Sequence, residues 1–107
     1  MDQLNVKIDR PVGFSHHGTV YPVNYGFVPD VIGGDGEEQD VYVLSDLPEN
    51  QQALETFTGK LIAIIHRADD VESKWVVTSE KESFSAEEIM KRVKFMERYF
   101  DSSIEML

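Results

Sequence analysis

Asp35-Gly36-Glu37-Glu38-Gln39-Asp40 places four carboxylates within six residues and leads directly into the apolar stretch Val41-Tyr42-Val43-Leu44. The surrounding segment, residues 30–56, holds eight acidic side chains and no Lys or Arg. Carboxylates forced together by a glycine-loosened turn repel and raise one another's pKa unless a cation lies among them. Mg²⁺ and similar hard ions are held by one or two such carboxylates, with water and substrate phosphate completing the shell. The run therefore reads as a metal-phosphate site at the mouth of a strand.

A second acidic turn, Asp69-Asp70-Val71-Glu72, follows the most apolar stretch of the chain, and Lys74 comes two residues after Glu72. In a regular strand that spacing puts Glu72 and Lys74 on one face. Carboxylates converging beside a lysine match what phosphoryl transfer to water requires. Metal neutralises the phosphate oxygens, one carboxylate takes a proton from the attacking water, and a cation steadies the leaving group. The plain alternative is that both turns are solvated loops, because charged turn residues are common.

Other chemistries fail on the residues. The Asp35 run has Asp40 where an EF-hand loop needs glycine. Gly59-Lys60 lacks the glycine spacing and the following Ser or Thr of a P-loop, and no Gly-x-Ser-x-Gly elbow occurs. His16 and His17 are adjacent and fall in no His-Glu-x-x-His pattern. They read as surface residues or as substrate contacts, and His66 as a hydrogen-bonded core or rim histidine.

The elements that must position these groups come next. Alternation marks a strand at Leu4 to Ile8, ended by Pro11 and Gly13. A second is expected near 20–28, at an edge or bulge because of Pro22. A third spans Asp40 to Ser45, a fourth, apolar enough for burial on both faces, Gly59 to Arg67, and a fifth Lys74 to Thr78. Ser85 and Glu88 then form a capping box, and Ile89, Val93, Met96 and Phe100 share one stripe of a helix over 85–101. The chain thus reads as mainly β with one C-terminal helix, a small five-stranded OB-like β-barrel over residues 1–107 as a single domain. A flat α+β sheet is the competing architecture.

At 107 residues the chain can bury roughly 65% of its unfolded surface in a single core. It has no cysteine, hence no disulfide, thiolate nucleophile or zinc-thiolate site. Met1-Asp2-Gln3-Leu4-Asn5 has no basic region followed by an apolar run, so no signal peptide is expected, and a cytoplasmic location fits. The longest apolar run, Leu61 to Ile65, is five residues and cannot span a bilayer. A net charge of −10 argues against nucleic-acid and membrane partners, and an anionic small substrate requires a bound metal to reverse the local field. With Phe14, Phe27, Phe57 and Trp75 to bury, such a barrel could form a homo-oligomer.

In order along the chain stand Tyr21-Pro22-Val23-Asn24-Tyr25-Gly26-Phe27, the Asp35 to Val41 run, Asp69, Glu72-Ser73-Lys74 and Tyr99. This series resembles the soluble, Mg²⁺-dependent inorganic pyrophosphatases of the OB-barrel type. Their signatures are Tyr-Pro-x-Asn-Tyr-Gly-Tyr, Asp-Gly-Asp-x-x-Asp-Val and Asp-x-x-x-x-Asp-x-Lys. The resemblance implies Mg²⁺ (or Mn²⁺) held by Asp35, Asp40, Asp69 and Glu72. It also implies water activation by Glu37, orientation by Tyr25, and phosphate contacts from Lys74, Arg10 and Tyr99. The implied reaction is hydrolysis of a phosphoanhydride, most simply of inorganic pyrophosphate. The chain departs from the pattern where Glu37 and Glu72 are each one methylene longer, and a shift of that size can cost about 10²-fold in rate. Phe100 also stands where the family has lysine, and the segment from Asp69 to Lys74 is two residues shorter. These departures keep two rivals in view: a metal-dependent hydrolase of another phosphorylated metabolite, and a catalytically silent pyrophosphatase-like binding module.

Overall fold

The structure is a computed structural model that describes residues 3–68 and 71–107. Its elements run β1 (Leu4–Arg10), β2 (Ser15–His16), β3 (Thr19–Val20), β4 (Asn24–Ile32), β5 (Glu38–Val43), β6 (Thr56–Arg67), β7 (Ser73–Thr78), α1 (Ala86–Glu97) and β8 (Ser102–Met106). A 3-10 turn at Pro48–Asn50 interrupts the long loop after β5. Strand order β1-β4-β5-β7-β6, with β6 returning to β1, closes a five-stranded barrel. Only the β5–β7 pair among these five is parallel.

Strand β6 makes closure possible because it is long enough to serve two neighbours on one edge. Its first half, Thr56–Gly59, pairs with β1, and its second half, Ala63–Arg67, pairs with β8. A register shift between Leu61 and Ala63 bends it at the crossover, as bulges do where barrels turn corners. Pleat alternation then sorts side chains to two faces. Val6, Val28, Val41, Val43, Phe57 and Val77 fill the barrel. Tyr25, Tyr42, Ala63, Ile65 and Val76 point the other way and are covered by Ile89 and Val93 of α1.

The capping box forms as the sequence indicates: Ser85 accepts from the Glu88 amide and the Glu88 carboxylate accepts from the Ser85 amide. Three expectations need adjustment. The helix stops at Glu97 rather than near 101, because the chain turns through Phe100 to start β8, an added strand. The second strand begins at Asn24, since Pro22 cannot donate to a ladder, and it continues to Ile32 through a bulge that accommodates Pro29 and the left-handed Asp30. Residues 15–20 form a further small hairpin.

Glycines allow close strand approach in the barrel, at Gly59 against Thr78 and most tightly at Gly26. A Cβ on Gly26 would lie 1.8 Å from the Lys7 carbonyl oxygen, across the β1–β4 pair. Gly26→Ala is therefore expected to destabilise the barrel by about 2–3 kcal/mol. In thermal denaturation the midpoint should fall on the order of 10 °C, and an unchanged midpoint would contradict this closure.

Candidate active site

On the face under α1, Tyr42 of β5 lies beside Val76 of β7, and Ile65 of β6 lies opposite Lys74. Two residues further along the same faces stand Asp40, Lys74 and Arg67. The charged row is thus the continuation of the apolar row, one step beyond the apolar face of Ile89 and Val93. Lys74 Nζ lies 2.6 Å from Asp40 Oδ2 and 2.5 Å from Glu72 Oε1, with only 5% of the residue exposed. It also hydrogen-bonds the Tyr25 hydroxyl and lies 5.7 Å from that ring's centre.

The two acidic turns meet at this rim. A Cβ on Gly34 would come within 2.2 Å of the Val71 carbonyl oxygen, so glycine is what lets the first turn lie against the second. The carboxyl groups of Asp35 and Glu72 are hydrogen-bonded to each other. Burial and this contact raise the Glu72 pKa against the pull of Lys74. The contact, with the Glu37 backbone N–H, lowers that of Asp35. Two carboxyls in contact share a proton or a cation. Lys74 stays charged: burial opposes it, but the Tyr25 hydroxyl and the two carboxylates outweigh burial and raise its pKa.

A buried ion pair that the sequence reading did not single out backs this cluster. Glu97, 2% exposed, accepts from Arg67 (3.1 Å from Nε to Oε1 and 2.7 Å from Nη2 to Oε2), from the Tyr42 hydroxyl at 2.6 Å and from Ser102 at 2.7 Å. Burial pushes its pKa up, yet these partners prevail and hold it below the ordinary value. Arg67 stacks on Phe100, 3.6 Å from the ring centre, and its Nη1 lies 3.5 Å from Glu72. The signal was present: Glu97 follows Ile89 and Val93 at intervals of four on the apolar stripe, and Arg67 follows Ala63 and Ile65 at intervals of two. A charge recurring at a core position marks a buried pair.

Of the residues singled out in the sequence, Asp35, Asp40, Glu72, Lys74 and Tyr25 come together here. Asp69 lies outside the described residues. Glu37 is exposed on the turn, its amide donating to Asp35 Oδ1 at 3.0 Å. Arg10 Nη1 donates to the Tyr21 hydroxyl at 2.6 Å, with the guanidinium 5.8 Å from the Tyr25 ring centre. Tyr99 follows α1, 63% exposed, its hydroxyl accepting from Arg98. His66 is a rim residue bonded to Glu105 at 2.8 Å. An apolar cavity of about 540 Å³, lined by Val6, Phe27, Pro29 and Phe57 among others, shares no residue with the charged cluster.

Among the described residues no three acidic or histidine side chains stand as a ready-made metal cage. The donor set is nonetheless all carboxylate oxygen, and the Asp35–Glu72 contact needs a proton or cation to hold. That fits Mg²⁺, which takes one or two carboxylates and keeps waters and phosphate rather than an all-protein cage.

Comparison with known proteins follows the same direction. The family model for inorganic pyrophosphatase matches residues 3–105. A curated inorganic pyrophosphatase of Helicobacter pylori is 40% identical over 50 residues, 47% of this chain and 28% of that protein. One of Aeropyrum pernix is 46% identical over 43 residues, 40% of this chain and 23% of that protein. The matched stretches thus span under a third of these relatives' length. The crystal structure of the Ehrlichia chaffeensis inorganic pyrophosphatase superposes with a TM-score of 0.68 at 20% identity, covering 98% of this chain and 86% of that one. The Helicobacter pylori structure does so with 0.66 at 21% identity, covering 99% and 82%. These two likenesses show the fold.

Removing Glu97 leaves Arg67 buried without its main partner, so Glu97→Leu is expected to destabilise the protein by about 3–5 kcal/mol at neutral pH. The folded-state pKa of Glu97 is depressed, so its contribution is present above the unfolded value of about 4.3 and is lost as pH falls through the folded one. Denaturant titrations should show the gap between variant and parent narrowing below about pH 4. A gap that does not change with pH would refute this pairing.

Proposed function

We infer the function from the premise that this chain belongs to the inorganic pyrophosphatase family: it is a divalent-metal-dependent hydrolase that splits inorganic pyrophosphate into two phosphates. The observation that carries this reading is the convergence of Asp40 and Glu72 on the buried ammonium of Lys74, beside Tyr25, with Asp35 bonded to Glu72. Residues 1–107 act as one domain in the cytoplasm on this reading.

Asp35, Asp40 and Glu72, with Asp69 from beyond the described residues, are the side chains that would hold Mg²⁺ (or Mn²⁺). The ion, when bound, supplies neutralisation of phosphate oxygens and acidification of a water. The chain's own groups do the rest. Glu37, exposed on the turn beside Asp35, accepts the proton of the attacking water. Burial raises the Tyr25 pKa against the pull of Lys74, so the hydroxyl keeps its proton at neutral pH and can orient the nucleophile by donating to it. Lys74 and Arg10, whose charged groups lie 5.7 and 5.8 Å from the centre of the Tyr25 ring, carry fixed positive charge toward the phosphate that departs. The water oxygen bonds to one phosphorus as that atom's P–O bond to the bridging oxygen breaks, and the second phosphate leaves with the bridging oxygen, its charge met by these cations. Tyr99 adds a phosphate contact at the outer edge.

Phosphate release from pyrophosphate in millimolar Mg²⁺ tests this reading, with Asp40→Asn as control. The parent should turn over and the variant should be slower by about 10²-fold or more, the loss expected when a charged group at the reacting centre is removed. No release with any divalent metal from well-folded parent protein would sink it.

A further inference from the structure

Arg67 is the last residue of β6, 8% exposed, and its nitrogens lie against two different acids. Nε and Nη2 donate to the two oxygens of Glu97, and Nη1 lies 3.5 Å from Glu72 Oε1. A guanidinium is planar and rigid, so two bonded nitrogens determine where the third must lie once the plane is set. Phe100 sets the plane, with its ring centre 3.6 Å from the guanidinium carbon. Nη1 is thus a fixed point of positive charge beside Glu72, placed by Glu97 and Phe100 rather than by Glu72. Burial opposes that charge, but Glu97, the Tyr42 hydroxyl and Glu72 outweigh it and keep the guanidinium protonated.

The seat comes from one stretch of chain. Glu97 ends α1, Phe100 lies in the turn after it, and Ser102, whose hydroxyl donates to Glu97 at 2.7 Å, opens β8. The Tyr99 and Phe100 amides close that turn on the Met96 and Glu97 carbonyls, and Ser102 is the register partner of Arg67 itself. Residues 97–102 therefore grip the guanidinium from outside the acidic rim. On the rim side, Glu72 Oε1 meets Lys74 at 2.5 Å as well as Arg67, and the Glu72 carboxyl group bonds Asp35. Glutamate has three side-chain torsions, and contacts with three partners hold them in one setting. Stability alone gives no reason for this construction, since apolar residues of similar volume replace both members of a buried ion pair at little loss.

We propose that Arg67 is a positioning residue for the rim, holding Glu72 in the geometry that receives a divalent ion, from a seat formed by residues 97–102. With its side chain 6% exposed, Arg67 itself touches neither substrate nor metal. The proposal rests on the metal-dependent reading and adds a link to it: the fit of the segment after α1 sets the affinity of the rim for its cation. By reciprocity, the bound cation secures that segment in turn.

Two variants of the full chain test it. Arg67→Gln/Glu97→Gln removes both charges together, which leaves neither buried charge unpaired and keeps an acceptor for Tyr42 and Ser102. Phe100→Leu, at a residue 37% exposed, leaves both charges in place and takes away the ring that holds the guanidinium plane. Carbon-13 NMR of the glutamate carboxyls in chelator reads Glu72 without metal, and calorimetry with Mg²⁺ reads the affinity. In both variants the Glu72 signal should move, while that of Glu88, bonded to Ser85 at the far end of α1, stays in place. Mg²⁺ affinity should fall about 10-fold in the double variant, the loss usual when a metal ligand's supporting partner is removed, and by less in Phe100→Leu. Amide exchange at residues 98–102 should slow when Mg²⁺ is added to the parent, and slow less in Phe100→Leu. Should the double variant fail to fold, Phe100→Leu decides alone. An unmoved Glu72 signal, or a moved signal with Mg²⁺ affinity equal to the parent's, would overturn the positioning role and leave the metal site standing. A moved signal in a protein that takes no Mg²⁺ would uphold the hold of Arg67 on Glu72 and remove the metal-dependent reading.

Discussion

The ammonium of Lys74, buried between the carboxylates of Asp40 and Glu72, is the contact on which the charged end of this barrel depends. Three strand or turn segments bring acids to one rim, and their mutual repulsion would splay them without a cation at the centre. Lysine suits the place because its ammonium is a compact point charge with three donors, and here three oxygen partners meet it: Asp40, Glu72 and the Tyr25 hydroxyl. Its four-carbon stem runs along the same face as Val76, so the apolar row under the helix ends in a charge without a break in packing.

A second buried pair supports the first from behind. Glu97 projects from the last turn of α1 into a socket made by Arg67, Tyr42 and Ser102, and Arg67 reaches on toward Glu72. The helix is thereby joined to the acidic rim through side chains and not only through the apolar face of Ile89 and Val93. A fully bonded ionic network of this kind holds one geometry more strictly than packing alone, at the expense of desolvation. The structure also needs close backbone approach at three points, Gly26 against Lys7, Gly59 against Thr78 and Gly34 against Val71, and the last is what lets the two acidic turns touch.

Much of this was legible in the chain. Alternation at β1 and apolar runs at β5, β6 and β7 placed four of the five barrel strands to within three residues, and the Ser85–Glu88 box located the helix start. The spacing of Glu72 and Lys74 placed them on one face, where they are in contact. Other features depend on pairings that local sequence does not carry. Strand β8, Ser102–Met106, is half polar and exists because the second half of β6 has a free edge. The β2–β3 hairpin has only two residues per strand, too short for any period to show. Tyr25 is buried against Lys74 through the register of β4 with β5, which a bulge shifts at one end. The Arg67–Glu97 pair was visible as two charges at core spacing, but their partnership joins residues thirty positions apart.

Whether the rim built around Lys74 takes a hard divalent ion is the central question, and melting with and without metal addresses it directly. A ligand that binds only the native state stabilises it by about 2.7 kcal/mol at a hundred times its dissociation constant. Scanning the full chain in chelator and again in millimolar Mg²⁺ should raise the midpoint by several degrees, because the ion relieves the carboxylate crowding at Asp35, Asp40 and Glu72. Identical midpoints in the two conditions would contradict a metal site at this rim.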